Sequence, residues 1–308
     1  MYNTISEIKV GKPGKIPVLV KSITTHRARN GVFYQKVHVR DQTGMEATFM
    51  QFDAQLDVQT PLIMEINVEC TEYGANASFK IQQCAETTKY SMELFLPKAN
   101  INRSDGWNKV VKMLKPLRSG ICRVLCSVLS ENKNKFVTLP LNPTGAFARQ
   151  SGILEATIKL ASLAEKTAEQ DKRLDHDLMV AGALLYYCGH METVDEGYEH
   201  TLTDLMYGSA LSSYTVVQMK AAELICSSEE ARSEIDSKDI MLLSHMLAVK
   251  NGMIKPAIPE ASALKYLDQM IQEVDAMNNL IDAAPDVIVE DPIVRNRRLY
   301  NRNFENAG

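Results

Sequence analysis

Between residues 15 and 85 the side chains alternate apolar and polar in short runs, and a period of two places strands there rather than helices. Ile16, Val18 and Val20 make the first run. Phe33, Gln35, Val37 and Val39 make the second, and Met45, Ala47 and Phe49 the third. Ile63 to Val68, then Phe79 with Ile81, complete the set. The stretches 29–31, 41–44 and 73–76 (Arg-Asn-Gly, Asp-Gln-Thr-Gly and Tyr-Gly-Ala-Asn) carry turn chemistry. Five strands in so short a segment suit a small closed barrel of the OB type.

The rest of the chain has a helical period. The strongest case runs from Asp177 to His190, where Leu178, Ala181, Leu184, Leu185 and Cys188 form one apolar stripe. Asp175 and Asp177 stand where a carboxylate caps free N–H groups, and Gly189 is placed to stop the helix. Further helices are expected over 150–168, 201–212, 215–226, 229–247 and 260–282. The methionines among them read as core filler. Residues 91–145 read as a basic helical connector, with a helix from Asp105 that Pro116 ends and a second over 121–129. The expected organisation is α+β and multidomain. A barrel covers 1–90, the connector 91–145, an all-α bundle 146–282 and a basic, aromatic tail 283–308.

Composition narrows the class. The 308 residues are 45% hydrophobic and 23% charged, as in ordinary soluble domains. No apolar run approaches the ~20 residues that span a bilayer. The N-terminus shows no secretion signal, and the six cysteines form no CxxC pair, so a reduced, cytoplasmic protein is expected. Cys122 and Cys126 have no nearby His or Cys to complete a zinc site. The net charge of −4 hides an asymmetry: 91–150 is net +7 and 151–280 net −11. The basic middle, with Lys109, Lys112 and Lys115, meets either phosphate or the acidic neighbour.

The second strand is the informative one. Phe33, Val37 and Val39 are expected inward, and Tyr34, Lys36, His38 and Arg40 outward. A ring among cations on a strand face is what a single-stranded nucleic acid needs, because bases stack on the ring while cations track phosphates. Arg27 and Arg29 in the preceding loop, and Tyr73 in a later one, would join this face. The tail segment 294–304 adds four arginines with a Tyr and a Phe. The competing reading is a solvated, merely polar face.

A barrel, a connector and a helical part containing Gly-Ala-Leu-Leu-x-x-Cys-Gly-His together resemble the YhaM-type 3′→5′ exoribonucleases. These pair an OB domain with a His-Asp metal phosphohydrolase domain. The resemblance rests on Arg29 to Tyr34, Arg40 to Glu46, Ser151 to Glu155, Asp177 to Gly189, Leu243 to Met246, and Lys255 to Ala261 followed by Asp268. That family's chemistry needs clustered His and Asp ligands for divalent metal. Here the resemblance puts Ala156, Tyr186, Tyr187, Ser209, Lys250 and Asn251 at ligand positions, with the family's lysine at His190, and leaves Asp268 alone as a ligand-type side chain. One carboxylate without imidazoles does not hold a catalytic ion in a set geometry. The literal His176-Asp177 dipeptide lies about ten residues early and reads as a helix cap. His190, His200, His245 and Asp268 are the residues from which a relocated site would have to be made, and His245 reads as structural.

The resemblance and the strand face together imply a non-catalytic protein that binds single-stranded DNA or RNA, without metal or other cofactor and without a membrane. Replication, repair or RNA-processing proteins and a second copy of the chain are the further partners to expect. The alternatives are a metal-dependent 3′→5′ nuclease or phosphohydrolase with a relocated site, and a protein-interaction scaffold.

Overall fold

A closed five-stranded barrel forms because each strand places one alternate set of side chains inside. The computed structural model describes residues 1–28, 31–52, 55–73, 76–252, 254–283, 287–290 and 297–301, and the side chains at 72, 73, 76, 251 and 283 lie outside that description. The strands are β1 (Gly14–Arg27), β2 (Phe33–Arg40), β3 (Glu46–Gln51), β4 (Leu62–Tyr73) and β5 (Asn76–Glu86). Their order is β1-β2-β3-β5-β4, closed by β1 on β4. All pairings are antiparallel except β3 with β5, which is parallel and short. This is an OB-like barrel. Ile16, Val18, Val20, Val37, Val39, Phe49, Ile66, Val68 and Ile81 fill it, each almost wholly excluded from solvent.

The turn between β2 and β3 is built by one carboxylate. Asp41 is buried and accepts from the amides of Thr43 (2.8 Å) and Met45 (3.0 Å) and from the Thr43 hydroxyl (2.6 Å). Its other oxygen accepts from the amide of Ile5 at 2.7 Å, which ties the N-terminal segment to the barrel. Ile5 thereby joins the barrel core.

The helices are α1 (Arg103–Leu114), α2 (Ser119–Glu131), α3 (Lys133–Thr138), α4 (Gly152–Gln170), α5 (His176–Leu185), α6 (His190–Thr193), α7 (Leu202–Ser227), α8 (Glu229–Glu234), α9 (Ser237–Ala248) and α10 (Pro259–Ala283). The chain forms two compact units, Met1–Lys98 with Glu196–Glu199, and Ala99–Asp195 with His200–Gly308. The segment expected as a connector is therefore divided between them. Val110 and Leu114 of α1, and Ile121, Val124, Leu125 and Val128 of α2, lie in one core with Leu154 of α4 and Leu184 of α5. Lys109, Lys112 and Lys115 lie at the surface of this unit, outside that core.

Four expectations about the helices are corrected. Helix α5 ends at Leu185, before Gly189, and Gly189 leads into α6 instead. Glycine is required there by close approach, since a Cβ would lie 2.2 Å from the carbonyl oxygen of Ser209. The helices expected over 201–212 and 215–226 form one element, α7, whose break is at Gly208 with φ 65°. The helix expected over 229–247 is two, because Asp236 caps a new start by accepting from the amide of Lys238. The polar turn after residue 130 contains the short α3. The cap at α5 is as expected in kind: Asp175 accepts from the amide of Leu178 at 3.0 Å. Asp177 instead accepts from the amide of Arg118 at 2.8 Å.

A buried ion triad ties α10 to the start of α4. Arg149 donates to both oxygens of Glu155, each at 2.9 Å, and to both oxygens of Asp275 at 2.7 and 3.0 Å. Lys159 adds an ion pair to Glu155 at 2.8 Å. Burial pulls the Glu155 and Asp275 carboxyls up, but hydrogen bonds and charge from Arg149 and Lys159 outweigh it and hold both below the usual carboxylate range. In the tail, β6 (Ile288–Glu290) pairs with β7 (Arg298–Tyr300), and the remaining arginines past residue 298, with Phe304, lie outside the described residues.

Candidate functional site

The outward faces of β1, β2 and β3 meet in rows that the antiparallel register dictates. His26 faces Tyr34, and Thr24 faces Lys36. Lys36 in turn faces Met50, and Met50 pairs with Lys80 of β5. Phe52 follows β3 directly, and its ring comes to lie beside Tyr34. The three rings form a row, with His26 stacked on Tyr34 at 5.5 Å and Tyr34 on Phe52 at 5.7 Å. Their planes differ by 24° and 28°, so the row offers a nearly continuous π-surface. Phe52 is 43% exposed. The Lys80 ammonium lies 5.8 Å from its ring centre. At the end of β1 the Arg27 guanidinium lies 5.6 Å over Phe33, which is itself 56% exposed.

The residues expected on this face divide accordingly. Tyr34, Lys36 and Arg27 are there, and His38 lies one row further on, bonded through Nδ1 to the Thr48 hydroxyl at 3.1 Å. Arg40 is corrected: it is buried, and its Nε and Nη2 both donate to Glu46, which also holds Lys21 at 3.1 Å. Its charge is neutralised inside the protein. Phe33 is corrected in the other sense, because β2 begins beyond the barrel's end and leaves no interior to receive it. Arg29 and the Tyr73 side chain lie outside the described residues. Phe52 and Lys80 were missed. Phe52 carries a legible signal, since it stands three beyond inward Phe49 and so on the outward parity. Lys80 carries none, because only closure of β5 onto β3 brings it there.

A second cluster lies within the helical unit. Tyr186 and Tyr187 are fully buried with their rings edge to face at 5.5 Å. The Tyr187 hydroxyl donates to Asp268, which also accepts from Gln272 at 2.7 Å. The Tyr186 hydroxyl is buried with no partner among the described residues. The Lys250 ammonium sits 4.7 Å from the Tyr187 ring centre and 5.0 Å from that of Tyr186. It donates to His190 Nε2 at 2.8 Å. His190 Nδ1 lies 2.6 Å from the carbonyl oxygen of Leu141, which can only accept, so Nδ1 carries the proton and Nε2 is free to accept. Burial, with Lys250 beside it, holds His190 well below its usual range and therefore neutral.

Several positions that the resemblance assigned to metal ligands thus converge: Tyr186, Tyr187, Lys250 and Asp268. Ala156 is buried on α4 in the same core, and Ser209 lies on α7 against Gly189. The Asn251 side chain is outside the described residues. The donor set does not fit a divalent ion. Asp268 is engaged by Tyr187 and Gln272, and the imidazole lone pair of His190 is taken by a cation of the protein's own. His200 pairs with Asp204 at 2.6 Å, and His245 accepts from the amide of Ala257 at 2.9 Å. Among the described residues no three His, Cys, Asp or Glu side chains are arranged to hold a metal ion.

Lys250 predicts a pH dependence. Burial lowers its pKa from 10.5 to about 8, against the opposing pull of Asp268 and Cys188. A lysine with a depressed folded pKa binds fewer protons folded than unfolded between those values, so stability rises with pH across that window. Burial raises the Cys188 thiol to about 11, which has the opposite sign above pH 9. The difference between wild type and Lys250→Met isolates the lysine. It is expected to shift by about 3 kcal/mol in favour of wild type from pH 8 to 10.5, by chemical denaturation. A flat difference would mean that the ammonium is not buried as described.

No family model matches the chain. Among solved structures, it is similar to the second OB-fold domain of replication protein A from Methanococcus maripaludis, determined by NMR. Identity is 17% and the TM-score 0.24, over 30% of this chain and 99% of that one. A crystal structure of a domain of replication protein A from the same organism matches at 15% identity and TM-score 0.23, over 28% of this chain and 94% of that one.

Proposed function

We propose that the barrel binds single-stranded nucleic acid across β1–β3, and that the chain is a non-catalytic relative of the YhaM-type exoribonucleases. The observation that carries the binding reading is the row His26–Tyr34–Phe52, edged by Lys36, Lys80 and Arg27. Exposed ring faces stack bases of any sequence, and the cations beside them follow the phosphates. The non-catalytic reading is supported by the tyrosine and lysine side chains that fill the second cluster.

Fluorescence anisotropy with labelled single strands and duplexes, titrated in salt, tests the binding. Single strands should bind more tightly, because paired and stacked bases offer no free face. Lys36→Ala with Lys80→Ala should flatten the dependence of log K on log salt by up to ~0.7 for each phosphate that a lysine no longer neutralises. Equal affinity for duplex, or an unchanged slope in the folded double variant, would remove this face as the site. Metal-dependent release of nucleotides that survives repurification would remove the non-catalytic part.

A further inference from the structure

At the end of β3, next to Phe52, the seam between β3 and β5 opens. The parallel pairing stops after Met50 with Lys80, and a cavity of about 450 Å³ follows, lined by Gln51, Leu56, Glu65, Gln82 and Ala85 among others. That is room for one nucleoside, within the usual size of small-molecule sites. Gln51 is only 6% exposed, and its Oε1 is a buried acceptor with no partner among the described residues. Leaving such an acceptor unpaired is costly, and in folded proteins it is rare.

The neighbouring groups do not relieve it. Gln35, directly across from Gln51 on β2, is the nearest amide in register. Its Oε1 accepts from the amide of Leu56 at 2.7 Å and its Nε2 donates to the Leu56 carbonyl at 3.2 Å. Gln35 thus pins Leu56 as a wall of the cavity and has nothing left for Gln51. Glu65 is held by Lys89 at 3.2 Å, and Gln82 donates to Glu69 at 2.8 Å. The cavity therefore presents a row of acceptors, with one of them waiting for a donor.

We propose that this cavity takes one base extruded from the bound strand, and that Gln51 selects a base with an exocyclic amino group. The proposal rests on the single-strand reading above. Cytosine, adenine and guanine can offer an N–H of that amino group to Gln51 Oε1. Thymine and uracil have none, and their only edge N–H lies between two carbonyl oxygens, which would face acceptors. Phe52 stands at the entrance, so a strand stacked along the ring row delivers its next base to the opening.

The test compares oligo-dC with oligo-dT of equal length by anisotropy, for wild type, Gln51→Met and Ala85→Phe. One hydrogen bond to a buried acceptor predicts that wild type prefers oligo-dC by roughly 2- to 12-fold. Gln51→Met removes the acceptor at similar volume, and the ratio should fall to about one. Ala85 is an exposed position on the cavity wall, so Ala85→Phe blocks the space without disturbing the core and should have the same effect. It keeps the test decisive if Gln51→Met fails to fold. A wild type that binds both oligomers equally, or folded variants that keep the preference, would overturn the subsite and leave the ring row standing. Binding of free dCMP as tight as that of the oligomer would overturn the strand placement. If neither oligomer binds, both proposals fall.

Discussion

Tyr34→Ala combined with Phe52→Ala is expected to weaken single-strand binding by about 2–6 kcal/mol, from about 1–3 kcal/mol for each base–aromatic stack removed. Each single change should weaken binding roughly 5- to 150-fold. Because the two rings stack on one another at 5.7 Å, removing one also unsettles the other, so the double-mutant cycle should show coupling. The salt slope should stay unchanged, since neither ring meets a phosphate. That separates this result from the effect of the lysines. Phe52 is largely solvent-facing and Tyr34 lies on the outer surface, so the barrel core of Val37, Phe49 and Ile66 is untouched. A double variant that keeps its melting temperature and binds normally would eliminate the ring row.

Arg149→Met is expected to destabilise the helical unit by about 3–5 kcal/mol, the usual consequence of removing one partner from a buried ion network. Glu155 and Asp275 would remain buried without the group that offsets their desolvation. Asp275 would keep the amide of Phe147 at 2.7 Å, and Glu155 would keep Lys159. The pH dependence follows in sign. Both carboxyls have depressed folded pKa values, so their stabilisation is present above about pH 4 and is lost as pH falls through the folded values. In Arg149→Met the carboxyls should rise, and acid unfolding should begin at higher pH. Replacing all three charges together, as Arg149→Met, Glu155→Leu and Asp275→Leu, should cost less than the single change, because no uncompensated charge is left. Urea midpoints at several pH values measure all of this. A triple variant less stable than Arg149→Met would show that the network contributes net stability beyond its own desolvation.

The barrel was legible because alternation is a local property. Ile16, Val18 and Val20 need no distant partner to declare an inner and an outer face, and the same period correctly put Tyr34 and Lys36 outside. The helical unit was legible for the same reason, through periodicity and caps such as Asp175. Alternation says nothing about where a strand outruns the interior, which is why Phe33 was expected inside and is exposed. Nor does it say which cation is neutralised. Arg40 has the outward parity of Lys36, but the register places Glu46 directly opposite, and a carboxylate at hydrogen-bond distance takes the guanidinium.

What tertiary structure alone decided involves residues far apart in the chain. Lys80 reaches the ring row only because the barrel closes with β5 beside β3. Arg149 meets Asp275 across 126 positions. Lys250 meets His190 across 60, and Tyr187 meets Asp268 across 81. Gln51 is left without a donor because Gln35 commits its amide to a loop 21 residues away. Period and propensity act over a few residues, so sequence determined the elements and their faces. Charge pairing, orphaned acceptors and cavities depend on distances between those faces, and these exist only once the chain has closed.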